Sequence, residues 1–173
     1  MIKLKKIQYQ IDQKLILQNI NLNIEQGKTT IIMGKNGSGK STLLKLLNQI
    51  IQPTSGIFQS YLDKPIPMLF QKPLTLKNTV KYNYQILQKI KKHKINKNWF
   101  NKFDLSKLEN QKIDSLSGGE KQKLFLARFM SFNQTDLFLD EPNQSLDLES
   151  EKLLVDLLLH EKKSKTIILT LHD

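Results

Sequence analysis

Residues 34–42 read Gly-Lys-Asn-Gly-Ser-Gly-Lys-Ser-Thr, the phosphate-loop pattern G-x-x-x-x-G-K-[ST] with Gly34, Gly39, Lys40 and Ser41 at the required spacing. The flanks agree with it. Thr29–Met33 is a short apolar, β-branched run that reads as a buried strand, and residues 41–50 carry Leu43, Leu44, Leu46 and Leu47 at helical spacing. Strand, glycine-rich loop and helix together place successive backbone N–H groups around a polyphosphate, where a side chain would obstruct the approach. Lys40 supplies a point charge for the β- and γ-phosphates, the Ser41 hydroxyl can ligate Mg²⁺, and the helix directs its positive end at the same anion. The expectation is a nucleoside triphosphate site.

Two further stretches carry chemistry. Leu137-Phe138-Leu139-Asp140-Glu141-Pro142 is an apolar strand ending in two carboxylates. It delivers them to the C-terminal edge of the sheet, where open parallel sheets bind ligands. Asp140 is placed to hold Mg²⁺, and Glu141 to take a proton from an attacking water. In Leu116-Ser117-Gly118-Gly119-Glu120-Lys121-Gln122, Ser117 and Glu120 form a capping box opening a helix with Leu124, Leu126, Ala127 and Met130. Gly118 and Gly119 leave N–H groups uncovered at that helix's positive end, a second anion site. Ser145-Leu146-Asp147 starts another capped helix, over roughly 147–161. The strand Thr166–Leu171 ends at His172, at the same edge as the acidic pair.

Elsewhere, residues 2–9 and 15–24 alternate as two antiparallel strands, and Met68-Leu69-Phe70 reads as a short buried strand. From Thr75 to Asp114 the pattern turns helical and polar, with Leu76, Val80, Tyr84 and Leu87 on one face. The alternation of strands and helices implies an α/β fold with a mostly parallel sheet and a helical insertion. At 173 residues one domain is expected, with 1–74 and 115–173 as core and 75–114 as a helical subdomain.

Hydrophobic residues make up 39%, and no apolar run approaches the ~20 residues that span a bilayer. The N-terminus enters strand-like sequence at once, so no signal peptide is expected, and a cytosol-facing protein is the default. With no cysteine there is neither a disulfide framework nor a thiolate metal site. The net charge of +11 fits a Lys-rich composition, an anionic membrane surface or nucleic acid. It is almost entirely Lys, with Arg128 the lone arginine, so specific nucleic-acid reading is not expected. The run Lys89, Lys91, Lys92, Lys94 and Lys97 reads most simply as a solvated helix face and loop.

The phosphate loop, Leu116–Gln122, the acidic strand and His172, in this order, resemble the nucleotide-binding domain of an ATP-binding cassette (ABC) ATPase across essentially the whole chain. The resemblance implies a P-loop core with a mostly parallel sheet, N-terminal antiparallel strands and a helical insertion. By that likeness Gly34, Lys35, Asn36, Gly37, Ser38, Gly39, Lys40, Ser41 and Thr42 would form the Walker A loop. Asp140 would be the Walker B aspartate, Glu141 the catalytic glutamate, and His172 the switch histidine contacting the γ-phosphate. Gln71 would be the Q-loop glutamine that senses Mg²⁺ and the transmembrane partner, and Ser145 to Asp147 the D-loop. Tyr9 matches the aromatic that stacks on adenine. Ser117, Gly118 and Gly119 of a second chain would close over the same ATP in a head-to-tail dimer. Members usually continue past the switch histidine for another strand and helix.

The resemblance implies ATP and Mg²⁺ as cofactors and the role of ATP-hydrolysing subunit of a transporter, as in bacterial importers. Such a subunit is peripheral on the cytoplasmic face of the inner membrane and is bound to a separate permease. Its partner cassette is expected to be a second copy. The stretch Pro67–Leu74 looks most like cassettes driving uptake of oxyanions such as tungstate, molybdate or phosphate. The alternative is a soluble, non-transport cassette acting on ribosomes or DNA. Those usually hold two cassettes in one chain or a long coiled coil, and neither pattern is present in the sequence.

Overall fold

The computed structural model describes residues 1–92, 94–95, 97–132 and 134–172; His93, Asn96, Asn133 and Asp173 lie outside the described residues. In chain order the elements are β1 (Ile2–Ile11), β2 (Lys14–Ile24), β3 (Thr29–Met33), α1 (Lys40–Leu47), β4 (Ser55–Gln59), β5 (Met68–Leu69), α2 (Val80–Ile90), α3 (Asn98–Lys102), α4 (Gly118–Met130), β6 (Asp136–Asp140), α5 (Leu148–Glu161) and β7 (Thr166–Leu171). They group into two compact units: Met1–Met68 with Thr135–Glu141 and Leu158–Asp173, and Leu69–Gln134 with Pro142–Leu157.

The first unit holds two sheets. β1 and β2 form an antiparallel hairpin running from Ile2↔Ile24 to Ile11↔Lys14, longer than the alternation implied. The turn that closes it is Asp12-Gln13, both left-handed at φ 45 and 67. A two-residue turn of this hand matches the right-handed twist of the strands it joins. β4 adds antiparallel to the other side of β1. The second sheet is parallel in the order β3-β7-β6, continued beyond β6 by Met68 of β5. Thr29↔Ile167 and Met33↔Leu171 set one register, and Asp136↔Thr166 and Asp140↔Thr170 the other. Every residue of β6 is buried, as a central parallel strand requires. β3 departs from expectation: Ile31 is 52% and Met33 62% exposed. An apolar run reads as buried on both faces, but β3 is an edge strand of this sheet.

α1 lays Leu43, Leu44, Leu46 and Leu47 into one apolar cluster with Ile2, Leu4, Leu17, Phe138 and Ile168. It stops at Leu47, short of the expected Ile50. Gln49 turns left-handed (φ 58), and the Ile50 amide reaches back to the Lys45 carbonyl at 2.9 Å, a Schellman-type stop. Buried Asn48 then pins the following loop through both amide atoms, donating to the Ile66 carbonyl (2.9 Å) and accepting from its N–H (3.0 Å).

In that loop the Tyr61 hydroxyl donates to the buried Asp136 carboxylate. Burial, reinforced by this bond, pushes the phenol up to about 12. A pKa raised on folding stabilises the protein below the unfolded value of ~10, and that stabilisation is lost as pH rises through the folded one. Alkaline unfolding monitored between pH ~10 and ~12 should therefore steepen because of Tyr61. Tyr61→Phe should flatten it relative to wild type; superimposable profiles would refute the assignment.

The second unit is helical. Tyr84 of α2 packs its ring on Phe100 of α3 (4.9 Å between centroids), and the same unit buries Phe103, Leu105, Ile113, Leu116 and Leu124. The expected apolar face of α2 is corrected here. Val80 and Tyr84 are buried, but Leu76 is 49% and Leu87 38% exposed. Buried Asn83 and Gln88 take inward positions instead. Asn83 accepts from the Leu76 N–H (2.9 Å) and donates to the Leu76 and Thr79 carbonyls (3.0 Å each). Leu76 is thus held by its backbone rather than its side chain. The strand expected over Met68–Phe70 ends at Leu69, and Phe70 is 38% exposed.

Candidate functional site

In the first unit, β3 runs into the glycine-rich loop and α1 opens at Lys40. Gly39 caps α1 at φ 92. A Cβ there would stand 3.0 Å from Leu17 Cδ2 and 3.2 Å from the Ile16 carbonyl, so only glycine lets the loop lie on β2. Lys40 is 6% exposed. Its Nζ donates to the carbonyls of Gly34 (2.6 Å) and Lys35 (3.2 Å) and lies 3.2 Å from Glu141 Oε1. The Ser41 hydroxyl donates to Asp140 Oδ1 at 3.0 Å. The sequence-expected group Lys40, Ser41, Asp140 and Glu141 therefore converges at one sheet edge.

Thr170 organises the acidic pair. It is fully buried; its hydroxyl donates to Asp140 Oδ1 (2.7 Å) and accepts from the Glu141 N–H (2.9 Å). Sequence reading passed over it as one more β-branched strand residue. The signal was present: a hydroxyl in the run Thr-Ile-Ile-Leu-Thr-Leu, opposite Asp140 in the parallel register. Glu141 itself is left-handed at φ 47, uncommon for a side chain of its size. The kink ends β6 and accompanies the pairing of Glu141 with Lys40. Strain of about 1–3 kcal/mol of this kind collects at functional sites.

His172 follows Leu171, whose register partner is Met33, so it leaves the sheet at the edge where the loop begins. Its side chain is exposed. Tyr9 pairs with Leu17 in the β1–β2 ladder and packs, half-buried, against the core cluster.

The remaining candidates belong to the second unit. Ser117 caps α4 by the expected box: its hydroxyl accepts from the Glu120 N–H (3.2 Å), and Glu120 Oε2 accepts from the Ser117 N–H (2.8 Å). That backbone bond holds the Glu120 carboxyl below its ordinary range. Gly118 and Gly119 do more than bare their amides. A Cβ on Gly119 would stand 2.9 Å from the Ser145 carbonyl, and one on Gly118 3.6 Å from Ser145 Cβ. The first turn of α4 is therefore packed tightly on the loop before α5.

Two side chains not assigned roles from sequence fasten that contact. Buried Gln122 donates to the Pro142 carbonyl (2.9 Å), and Lys123 pairs with Asp147 at 3.0 Å. Asp147 also caps α5, accepting from the Ser150 N–H at 2.8 Å. Hydrogen bonds from Ser150, then Lys123, hold its carboxyl well below the usual range. Gln71 lines a groove of about 310 Å³ with Gly118, Gln122, Gln144 and Ser145.

The oxygen donors of Ser41 and Asp140 suit a hard cation such as Mg²⁺, which takes few protein ligands and completes its shell with water and phosphate oxygens. Among the described residues, no group of three or more His, Cys, Asp or Glu is gathered where it could hold a metal by itself.

A family model described as "ABC transporter" matches residues 17–144. The chain is 34% identical over 181 residues to the zinc import ATP-binding protein ZnuC of Wigglesworthia glossinidia brevipalpis, covering 99% of this chain and 76% of that one. It is 34% identical over 176 residues to the cytochrome c biogenesis ATP-binding export protein CcmA of Reclinomonas americana, covering 92% and 79%. Among solved structures, it superposes on a dimeric post-hydrolysis ATP-binding cassette bound to ADP and Pi. The TM-score is 0.79 at 28% identity, over 100% of this chain and 88% of that one. The α/β architecture with its parallel sheet and antiparallel N-terminal strands is that of these cassettes. The chain belongs to the ABC transporter family, as an ATP-binding, ATP-hydrolysing subunit.

Proposed function

We propose that this subunit powers uptake through a separate membrane permease, working as a homodimer that closes over two ATP molecules. The observation that carries the reading is the convergence of Lys40, Ser41, Asp140 and Glu141, with Lys40 and Glu141 ion-paired at 3.2 Å. Residues 34–42 wrap the phosphates, and Tyr9 stacks on the adenine. On binding, Lys40 exchanges the Gly34 and Lys35 carbonyls and the Glu141 carboxylate for β- and γ-phosphate oxygens. That exchange frees Glu141 to accept the proton of the attacking water. Ser41, Asp140 and Gln71 would hold Mg²⁺, which would supply neutralisation of the charge that builds on the phosphate. His172 contacts the γ-phosphate from the end of β7.

Ser117, Gly118, Gly119 and Asp147 act on the nucleotide of the second copy. The lock between α4 and the loop before α5, through Gln122, Lys123 and Ser145, makes that surface move as one piece. Nucleotide in the interface favours the closed dimer and hydrolysis weakens it, which transmits bond cleavage to the permease. Residues 75–114 are the helical subdomain and the remainder the core. Uptake is supported by ZnuC relatives from three organisms, at 34%, 31% and 33% identity. An oxyanion cargo rests on the Pro67–Leu74 resemblance alone, because the relatives' names range from zinc import to cytochrome c biogenesis export.

No helix among the described residues is long and apolar enough to cross a membrane. Family membership, rather than that absence, supports a peripheral subunit at the cytoplasmic face of the inner membrane. The test is to purify the tagged chain from gently solubilised membranes of its own cells. Co-purification of a multi-spanning permease is expected, together with an extracytoplasmic binding protein whose ligand names the cargo. Recovery with ribosomes or DNA-bound proteins instead would overturn the transport reading.

A further inference from the structure

The C-terminal end of α2 is a surface the ATP chemistry does not use. No Asp or Glu occurs between Asp63 and Asp104, so nothing within that stretch offsets Lys89, Lys91, Lys92 and Lys94. All four are exposed. Among the described residues, none of the four forms an ion pair, whereas Lys81 and Lys97 share Glu109 at 3.6 and 3.8 Å. Apolar side chains lie among the four: Ile90 is 67% exposed, Leu87 38% and Ile95 37%. Leu87 and Ile90 are three residues apart on the last turn of α2, hence on one face.

We propose that this Lys/aliphatic cap binds an anionic lipid surface directly, independently of any permease contact. Lysine stems can lie along the headgroup boundary with their ammonium groups on lipid phosphates while Leu87 and Ile90 enter the acyl edge. Charge complementarity with an anionic leaflet is direct. Nucleic acid is the poorer fit on two observations. Binding single strands uses aromatic faces for stacking and arginine forks for phosphate. Here Lys102 covers Trp99 (4.9 Å) and Lys91 covers Phe132 (5.3 Å). The lone arginine, Arg128, has its guanidinium engaged with the Leu74 carbonyl at 3.2 Å.

The full chain is tested alone, without permease, by flotation with phosphatidylcholine vesicles containing about 30 mol% phosphatidylglycerol, against phosphatidylcholine alone, at about 0.15 M salt. Binding to the anionic vesicles only is expected. Each lysine near such a surface contributes about fivefold, so Lys89→Gln/Lys91→Gln/Lys92→Gln/Lys94→Gln should weaken it by roughly 100-fold or more. A second fourfold variant with the same net charge, Lys3→Gln/Lys5→Gln/Lys14→Gln/Lys28→Gln, should stay within about threefold of wild type. Ile90→Ser should cost about fivefold. Vesicle-free ATP turnover, unchanged in all three variants, reports that they are folded. Equal losses in the two lysine sets would reduce the effect to net charge and overturn the proposal. So would an inert Ile90→Ser, or a single-stranded oligonucleotide that displaces the vesicles and loses its own binding in the α2 variant.

Discussion

Glu141→Gln is expected to bind ATP at least as tightly as wild type and to hydrolyse it about 10²–10⁴-fold more slowly. The rate loss would follow from removing the carboxylate proposed to take the proton from water, the ordinary worth of a positioned general base. The undiminished affinity follows from the geometry. Glu141 holds the Lys40 ammonium at 3.2 Å, and an amide in its place competes less well with phosphate for that charge. With hydrolysis blocked, the proposed ATP-closed dimer should accumulate. Equilibrium nucleotide binding, single-turnover phosphate release and sedimentation of the ATP-loaded protein read these effects separately. Normal turnover would remove Glu141 from the chemistry, and weakened ATP binding would remove the exchange in which Lys40 passes from Glu141 to phosphate.

Lys40→Ala should lower ATP affinity by about 10²–10³-fold. A charge at phosphate distance, near a protein surface, is worth about 4 kcal/mol, and hydration of the emptied position recovers part of it. The same substitution leaves Glu141, whose side chain is 10% exposed, without its ammonium partner. Breaking a buried pair from one side costs about 3–5 kcal/mol, so the melting temperature of the nucleotide-free protein should fall by several degrees. Adding Glu141→Gln to Lys40→Ala should restore much of that stability and none of the affinity. Calorimetric melting and nucleotide titration of the single and double variants make the test. Retained affinity in Lys40→Ala would end the phosphate-loop reading. Additive rather than compensating melting shifts would end the Lys40–Glu141 pairing.

The α/β class, the phosphate loop, the capping box of α4 and the acidic end of β6 were legible because each is a local pattern. Period-2 and period-3.6 hydrophobicity, glycines at fixed offsets and a Ser three residues before a Glu act over a handful of positions. Errors arose where burial depends on the neighbouring element. Val80 and Tyr84 were read correctly as inward, but Leu76 and Leu87 lost their places to Asn83 and Gln88, which find backbone partners inside. Ile31 and Met33 look like any buried strand until β3 proves to be an edge. The last turn expected for α1 was lost to the left-handed Gln49.

The sequence by itself determined which groups are proposed to do the chemistry: Lys40, Ser41, Asp140 and Glu141 stand out by residue type and spacing alone. Tertiary structure decided what holds them and what they hold in turn. Thr170 braces both carboxylates only because β7 lies parallel to β6 in a register that sets it opposite Asp140. Lys40 meets Glu141 only because a left-handed residue ends β6 beside α1. Gly119 is required by the Ser145 carbonyl as well as by any anion. These are contacts between residues distant along the chain, whose geometry is set by packing and strand register, and no local pattern encodes them.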